Sequence, residues 1–210
     1  QRVIKAPGVV ELDPENRILL LRYVLKPAEL EAYLNEAVKV PRVSGRSGFG
    51  VKPRRELCYS PDGAPYVYSR VAHPTVQYPF YVLLTMRIFE ERINKELANL
   101  PRPIKNPYTS PSSAVDIVYD ASFPRGGSIG QHKDDEDAWG MVLIFSLGQT
   151  RYLRIRSDDT KEWFNVKMPH NSLVVMHGAS FQQNYTHQVD KLSEGDLVGT
   201  RLSLNVRYKA

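Results

Sequence analysis

Two periodicities divide the chain. In PAELEAYLNEAVKV, Leu30, Tyr33, Leu34, Ala37 and Val38 recur at helical spacing behind Pro27, a residue suited to a first helical turn. FYVLLTMRIFEERINKELANL places Met86, Phe89, Ile93, Leu97 and Leu100 on one face and stops at Pro101. Both segments predict amphipathic helices that brace another layer. After the proline- and serine-rich connector PRPIKNPYTSPSS the period shortens to two. DIVYDASF, GMVLIFSLG, RYLRIRS, WFNVKM, NSLVVMHG and TRLSLNVRY follow with turn residues between them and read as antiparallel-type strands. Helices first and strands after predict an α+β, mainly β architecture, a jelly roll or barrel with supporting N-terminal helices outside it.

The last strand breaks the usual pattern. In TRLSLNVRY, Leu202, Leu204, Val206 and Tyr208 share one face, while Arg201, Ser203, Asn205 and Arg207 share the other. Such a polar row is either a solvated edge or the lining of a pocket that holds negative charge. Two buried arginines without anions would be very costly, so burial of this face would imply an acidic ligand.

Composition narrows the class without choosing a function. The 210 residues suit one fairly large domain, and no apolar run approaches a membrane span or a signal peptide. The chain opens on Gln1 rather than Met, and residues trimmed ahead of it are expected. One cysteine, Cys58, excludes an internal disulfide and a cysteine-rich zinc site and points to a reducing, intracellular compartment, nuclear or cytoplasmic. A formal net charge of +5 suits an anionic partner. It is concentrated in KVPRVSGRSGFGVKPRR, residues 39–55, which has no acidic residue and reads as either a solvated loop or a phosphate-contacting arm. Beyond it, CYSPDGAPYVYS reads as a hairpin around Pro61-Asp62-Gly63, with Tyr59, Tyr66 and Tyr68 placed to stack on bases or to pack on the core.

The candidate chemistry lies in GSIGQHKDDED. His132 and Asp134 share a face if the backbone is extended, and an imidazole beside a carboxylate can take two cis positions on a metal. One further histidine would complete the facial triad of non-haem Fe(II) oxygenases, which leaves three positions open. His170 reads as a turn residue, and His177 ends a strand as a cap or core residue. His187, in NYTHQV, is favoured because it lies one loop before the polar-faced strand. Arg201 and Arg207, with Ser203 and Asn205 between them, then form a floor suited to the free carboxylate of a chelating cosubstrate such as 2-oxoglutarate.

From about Pro53 to Arg207 the chain resembles the AlkB family of Fe(II)/2-oxoglutarate dioxygenases. The resemblance rests on PRRELCY, YVYS, Tyr119, GSIGQHKDDE, FSLGQTRYLRIR, THQV and RLSLNVR. It implies a double-stranded β-helix core at 116–210 and a nucleotide-recognition lid with helices at 1–115, in one oxygenase domain. It implies Fe(II), 2-oxoglutarate and O2 as cofactors, with iron held by His132, Asp134 and His187. Arg201 would meet the distal carboxylate of 2-oxoglutarate, with Tyr119 and Arg207 completing that site, and Arg54, Tyr66, Tyr68 and Glu136 would belong to the lid and base pocket. The implied activity is oxidative demethylation of N-alkylated bases in single-stranded or flipped DNA or RNA, as in DNA repair or RNA demethylation, releasing formaldehyde, succinate and CO2. No membrane or protein partner is expected. The chain departs from the family pattern at Ile117, where Asn is frequent, and at Tyr185, where Trp is common. Two other readings compete: the same chemistry on a protein or small molecule, and an oxygenase fold kept only for binding.

Overall fold

The computed structural model describes the backbone of residues 1–48, 50–68, 71–119, 127–134, 139–194 and 199–210, and the side chains of all of these except positions 47 and 68. The N-terminal part runs β1 (Arg2–Ile4), β2 (Gly8–Glu11), β3 (Arg17–Arg22), α1 (Pro27–Ala37), β4 (Val43–Ser47), β5 (Gly50–Tyr59), β6 (Tyr66–Tyr68), β7 (Val71–His73), β8 (Thr75–Val76) and α2 (Phe80–Ala98). Then follow β9 (Pro111–Tyr119), β10 (Ile129–His132), β11 (Trp139–Gly148), β12 (Arg151–Ser157), β13 (Trp163–Met168), β14 (Ser172–His177), α3 (Phe181–Asn184), β15 (Tyr185–Val189) and β16 (Arg201–Lys209).

Two sheets face each other. The larger has the order β2-β3-β14-β11-β16-β9-β5-β4, with β8 beside β5, and the smaller has the order β1-β13-β12-β15-β10. From β9 to β12 the chain crosses between the sheets at every strand, and β14, β15 and β16 cross again. This is the double-stranded β-helix, or jelly roll. Its strands differ in pattern because the sheets differ in environment. The larger sheet is covered on both sides, so β3, β11 and β14 read as nearly continuous apolar runs buried along their length. The smaller sheet has one wet face, and β12, β13 and β15 alternate.

Leu19, Leu143, Phe145, Val175 and Leu204 pack from the larger sheet onto Tyr33 of α1 and Phe89, Ile93 and Leu97 of α2. Ile18, Val142, Ile144, Val174 and Met176 pack from its other face onto Leu153, Ile155 and Val166 of the smaller sheet. The helical face expected on α2 is the buried one, with Leu100 half-buried beyond its end. In α1 the helix ends at Ala37, and Val38 is exposed rather than part of the core face.

Three expectations are corrected. The N-terminal 115 residues are not only helices and lid: β3 lies inside the larger sheet against β14, β1 extends the smaller sheet beside β13, and β9 starts at Pro111. RILLLR joins the core because an apolar six-residue strand is buried best between two layers. The basic stretch is not a loop: β4 and β5 pair as an antiparallel hairpin at the sheet edge. Nor does CYSPDGAPYVYS form a hairpin across Asp62. Tyr66–Tyr68 pairs with Val71–His73, while β5 takes β8 as a parallel neighbour. The Asp62 carboxylate accepts the Ala64 N–H at 3.0 Å, so the turn chemistry is real, but it redirects the chain instead of folding it back on β5.

Phe89 is fully buried, 4.9 Å from the Phe145 ring centroid-to-centroid. Phe89→Ala should cost about 3–5 kcal/mol of unfolding free energy through lost burial and a residual cavity, measured by urea denaturation. A loss below about 1 kcal/mol would show that α2 contributes little to the core.

Candidate active site

Cross-strand register brings the histidines together. His132 on β10 lies opposite His187 on β15, and their ring centroids are 4.3 Å apart. Asp134 follows two residues after His132, with Oδ1 3.8 Å from His132 Nε2. One ligand atom from each of the three residues lies within 4.8 Å of the others. His132 Nδ1 donates to the Gly130 carbonyl at 2.7 Å, which leaves Nε2 with the free lone pair.

The three groups fit a divalent metal better than they fit one another. Among the described residues Asp134 Oδ2 and His187 Nδ1 are buried with no hydrogen-bond partner, an arrangement that is expensive without an added ligand. Burial opposes ionisation of Asp134, yet Arg207, His187 and His132 outweigh it and hold the carboxyl well below the usual carboxylate range. Burial, reinforced by His132, pushes His187 down to about 3 and keeps the imidazole neutral, as a metal ligand must be. Two imidazoles and a carboxylate are a donor set suited to iron.

The polar face of β16 points inward. Arg201, Ser203, Asn205 and Arg207 all line a cavity of 930 Å³ between the sheets, together with Tyr119 and the three candidate ligands. At one end Arg201 is 1% exposed, donates to Ser146 Oγ at 3.0 Å, and sits 5.1 Å from the Tyr119 ring centroid. Tyr119 is its cross-strand partner. At the other end Arg207 donates to Asp134 Oδ1 at 3.1 Å. Lys52, Arg54, Lys133, Arg201 and Arg207 face the cavity against Asp134 as the one carboxylate among the described lining residues. Three of these cations are paired with carboxylates, Arg54 with Glu56, Lys133 with Asp158 and Arg207 with Asp134, whereas Arg201 meets no carboxylate among the described residues and suits an anionic ligand. Val115, Ile117, Val142, Ile144, Leu153 and Met176 supply its dry walls.

The expected lid residues are placed unevenly. Tyr66 lines the cavity with the Arg207 guanidinium 5.7 Å from its ring centroid. Arg54 lines it too, but its Nε meets Glu56 Oε2 at 2.9 Å in a buried ion pair. Tyr68 is described in backbone only, on β6, and Glu136 lies outside the described residues. The rival histidines are elsewhere. His170 accepts the Gly148 N–H at 3.0 Å in a turn. His177 is buried between Arg17, 3.2 Å from Nδ1, and Asn106, 3.3 Å from Nε2.

Two neighbours of the site escaped sequence reasoning. Arg151 is buried behind Tyr119, 5.8 Å from its ring centroid, and donates to the carbonyls of Gly127 and Asp190. The alternation of RYLRIRS was the available signal, since it sets Arg151 on the face of Leu153 and Ile155. Arg154 and Arg156 take the opposite face, over Trp163. Gln182, from α3, accepts the Asp134 N–H at 3.0 Å, and nothing in the linear pattern marks it.

A candidate metal-binding triad, two histidines on the paired strands β10 and β15 and the aspartate just after β10, shares a jelly-roll cavity with a buried arginine, an arrangement suited to a mononuclear non-haem iron oxygenase. The model of the 2OG-Fe(II) oxygenase superfamily matches residues 11–207, and the chain belongs to that superfamily, whose members use Fe(II), 2-oxoglutarate and O2. Among solved structures, that of OsALKBH1 aligns with a TM-score of 0.65 and 19% identity over 96% of this chain and 100% of that one. An oxidoreductase of the 2OG-Fe(II) oxygenase family from Burkholderia pseudomallei aligns with a TM-score of 0.60 and 13% identity, over 91% of this chain and 85% of that one. Both are likenesses of fold. No curated protein matches this chain in sequence. Among the described residues no helix is long and apolar enough to cross a membrane.

His177 gives the fold a pH dependence separate from the metal ligands. Burial, then Arg17, lowers it to about 4 from an ordinary value of 6.5. Between these values the unfolded chain binds the proton and the folded chain does not, so stability rises with pH. The melting temperature should therefore fall as pH drops from about 6.5 towards 4. The fall should be shallower in His177→Gln, and equal slopes in the two proteins would remove His177 as a source of the effect.

Proposed function

We propose that this oxygenase demethylates N-alkylated bases in nucleic acid, DNA or RNA. The observation that carries the reading is the basic and aromatic part of the cavity lining. Lys52 from the edge hairpin and Tyr66 from β6 line the cavity that holds the triad, and the exposed Arg46 and Arg55 of the hairpin extend the positive surface. A base must leave its stack to enter such a cavity, and an aromatic ring beside cations that hold phosphate would assist that step. The resemblance to the AlkB family in the ordered motifs supports the same substrate class.

The site residues divide the work in this reading. His132, Asp134 and His187 would hold iron. Arg201 would pair with the distal carboxylate of 2-oxoglutarate, with Tyr119, Ser203 and Asn205 fixing its orientation. Arg207 would keep Asp134 ionised, and the Tyr66 ring would stack on the entering base. With iron, 2-oxoglutarate and O2 bound, the chemistry supplied is oxidation of a C–H bond, with succinate and CO2 as coproducts. Oxidation of an N-methyl group gives an N-hydroxymethyl base that releases formaldehyde, and the apolar walls would exclude water from the reacting groups. A protein or small-molecule substrate is the second reading. It is favoured by the buried pairing of Arg42 with Asp116 and of Arg54 with Glu56, which withdraws two cations from the arm.

The test is mass spectrometry on paired single- and double-stranded DNA and RNA oligonucleotides carrying 1-methyladenine, 3-methylcytosine or 6-methyladenine. Each is incubated with protein, Fe(II), ascorbate and 2-oxoglutarate. Loss of one methyl mass, dependent on 2-oxoglutarate and absent in His187→Ala, is expected. Succinate formed without demethylation of any oligonucleotide would send the search to peptides and metabolites. In the same assay Arg201→Met should raise the KM for 2-oxoglutarate roughly 10–100-fold, as loss of a charge-assisted contact requires. An unchanged KM would place the distal carboxylate elsewhere.

A further inference from the structure

The short helix α3 stands outside the cavity and touches the ligand segment from behind. Gln182 is 1% exposed, and its Oε1 accepts the main-chain N–H of Asp134 at 3.0 Å. The carbonyl of the next residue, Gln183, accepts Lys133 Nζ, which also meets Asp158 Oδ2 at 2.7 Å. Thus two consecutive residues of the ligand segment, 133 and 134, are tied to two consecutive residues of one helix.

The helix is held in turn by the N-terminal part of the chain. Ser180 Oγ, at its start, accepts Asn16 Nδ2 at 2.8 Å and donates to Glu15 Oε2 at 3.0 Å. At its end the Tyr185 hydroxyl donates to Asp13 Oδ2 at 2.7 Å. Asp13 itself accepts from the Glu15 and Asn16 N–H groups at 2.9 Å, which closes the turn between β2 and β3. A continuous set of hydrogen bonds therefore runs from this turn through α3 to the peptide that carries Asp134.

We propose that Gln182 is a positioning residue for the Asp134 carboxylate. A metal ligand on a segment that leaves a strand needs its backbone fixed, because a small rotation of the peptide moves the carboxylate away from the histidines. The amide of Gln182 provides a neutral acceptor for the Asp134 N–H. A leucine there would leave that N–H without its acceptor, whereas a glutamate would keep one. The inference rests on Asp134 being a metal ligand, and the test separates the two claims.

The measurement is Mn(II) affinity of the metal-stripped full-length protein, read by electron paramagnetic resonance of the free ion, with circular dichroism as the folding control. Asp134→Ala should abolish binding. Gln182→Leu should weaken it about 10–100-fold, in keeping with the effect of residues that orient ligands. Gln182→Glu should stay within about threefold of the original, because it keeps the acceptor. Wild-type affinity in Gln182→Leu, beside loss in Asp134→Ala, would overturn the positioning role, as would equal losses in the Leu and Glu variants. Wild-type affinity in Asp134→Ala would instead overturn the ligand assignment beneath it. Hydrogen exchange of the unmodified protein tests the contact without any variant. A slow Asp134 amide is expected, and exchange at the free-peptide rate would overturn the proposal even if Gln182→Leu does not fold.

Discussion

A buried guanidinium sets the terms for this fold. Arg201 is almost wholly enclosed, and among the described residues it is met by the hydroxyls of Ser146, Ser203 and Tyr119, a thioether and the Tyr119 ring, with no carboxylate. Burial lowers its pKa, yet an arginine in a protein stays charged, so the cation persists in a poorly solvating place. Such a charge is tolerable when an anion arrives to meet it. The superfamily's cosubstrate is a dicarboxylate, and Arg201 lies in the same cavity as the candidate metal-binding triad. Its strand is central to the larger sheet, so the cation is held by ladders on both sides.

The two arginines of β16 show how one strand face can serve different ends. Six residues of strand separate their backbones by about 20 Å, and each guanidinium has its own surroundings. Arg207 is engaged by a protein carboxylate, that of Asp134 in the candidate triad, and helps to hold it ionised. Arg201 is not so engaged. Charge in the linear sequence is therefore a poor guide to charge available for a ligand. The basic arm makes the same point: Arg42 and Arg54 each pair with a buried acid, and removing Asp116 from Arg42 should cost about 3–5 kcal/mol, as is typical of breaking a buried ion pair.

What could be read in advance followed from period and spacing. The inward row of β16 was legible because a period-two pattern can be assigned to faces without knowing the partner strands. His132 and Asp134 were legible for the same reason, and His187 from its place before that row. The helical face of α2 was visible because Met86, Phe89, Ile93 and Leu97 recur over several turns. Pairing was not legible. Whether Tyr66–Tyr68 returns to β5 or meets Val71–His73 depends on competition among edges, which local turn chemistry does not decide. The place of RILLLR was hidden likewise, since its neighbour β14 lies about 150 residues away in sequence.

Gln182 and Arg151 define the remaining gap between motif and site. A motif records the residues that touch the chemistry, while the supports come from elements joined only by the fold. Asp134 owes its ionisation to Arg207 on β16 and its backbone anchor to α3, which is fastened to a turn near the N-terminus. Tyr119 and Arg201, at the other end of the cavity, share Arg151 as a neighbour, and Arg151 also binds the carbonyls of Gly127 and Asp190. Each end of the cavity thus depends on chain segments far apart in sequence. The N-terminal strands and their turn are thereby linked to the candidate metal site, because hydrogen bonds join them to the helix whose Gln182 accepts the Asp134 N–H.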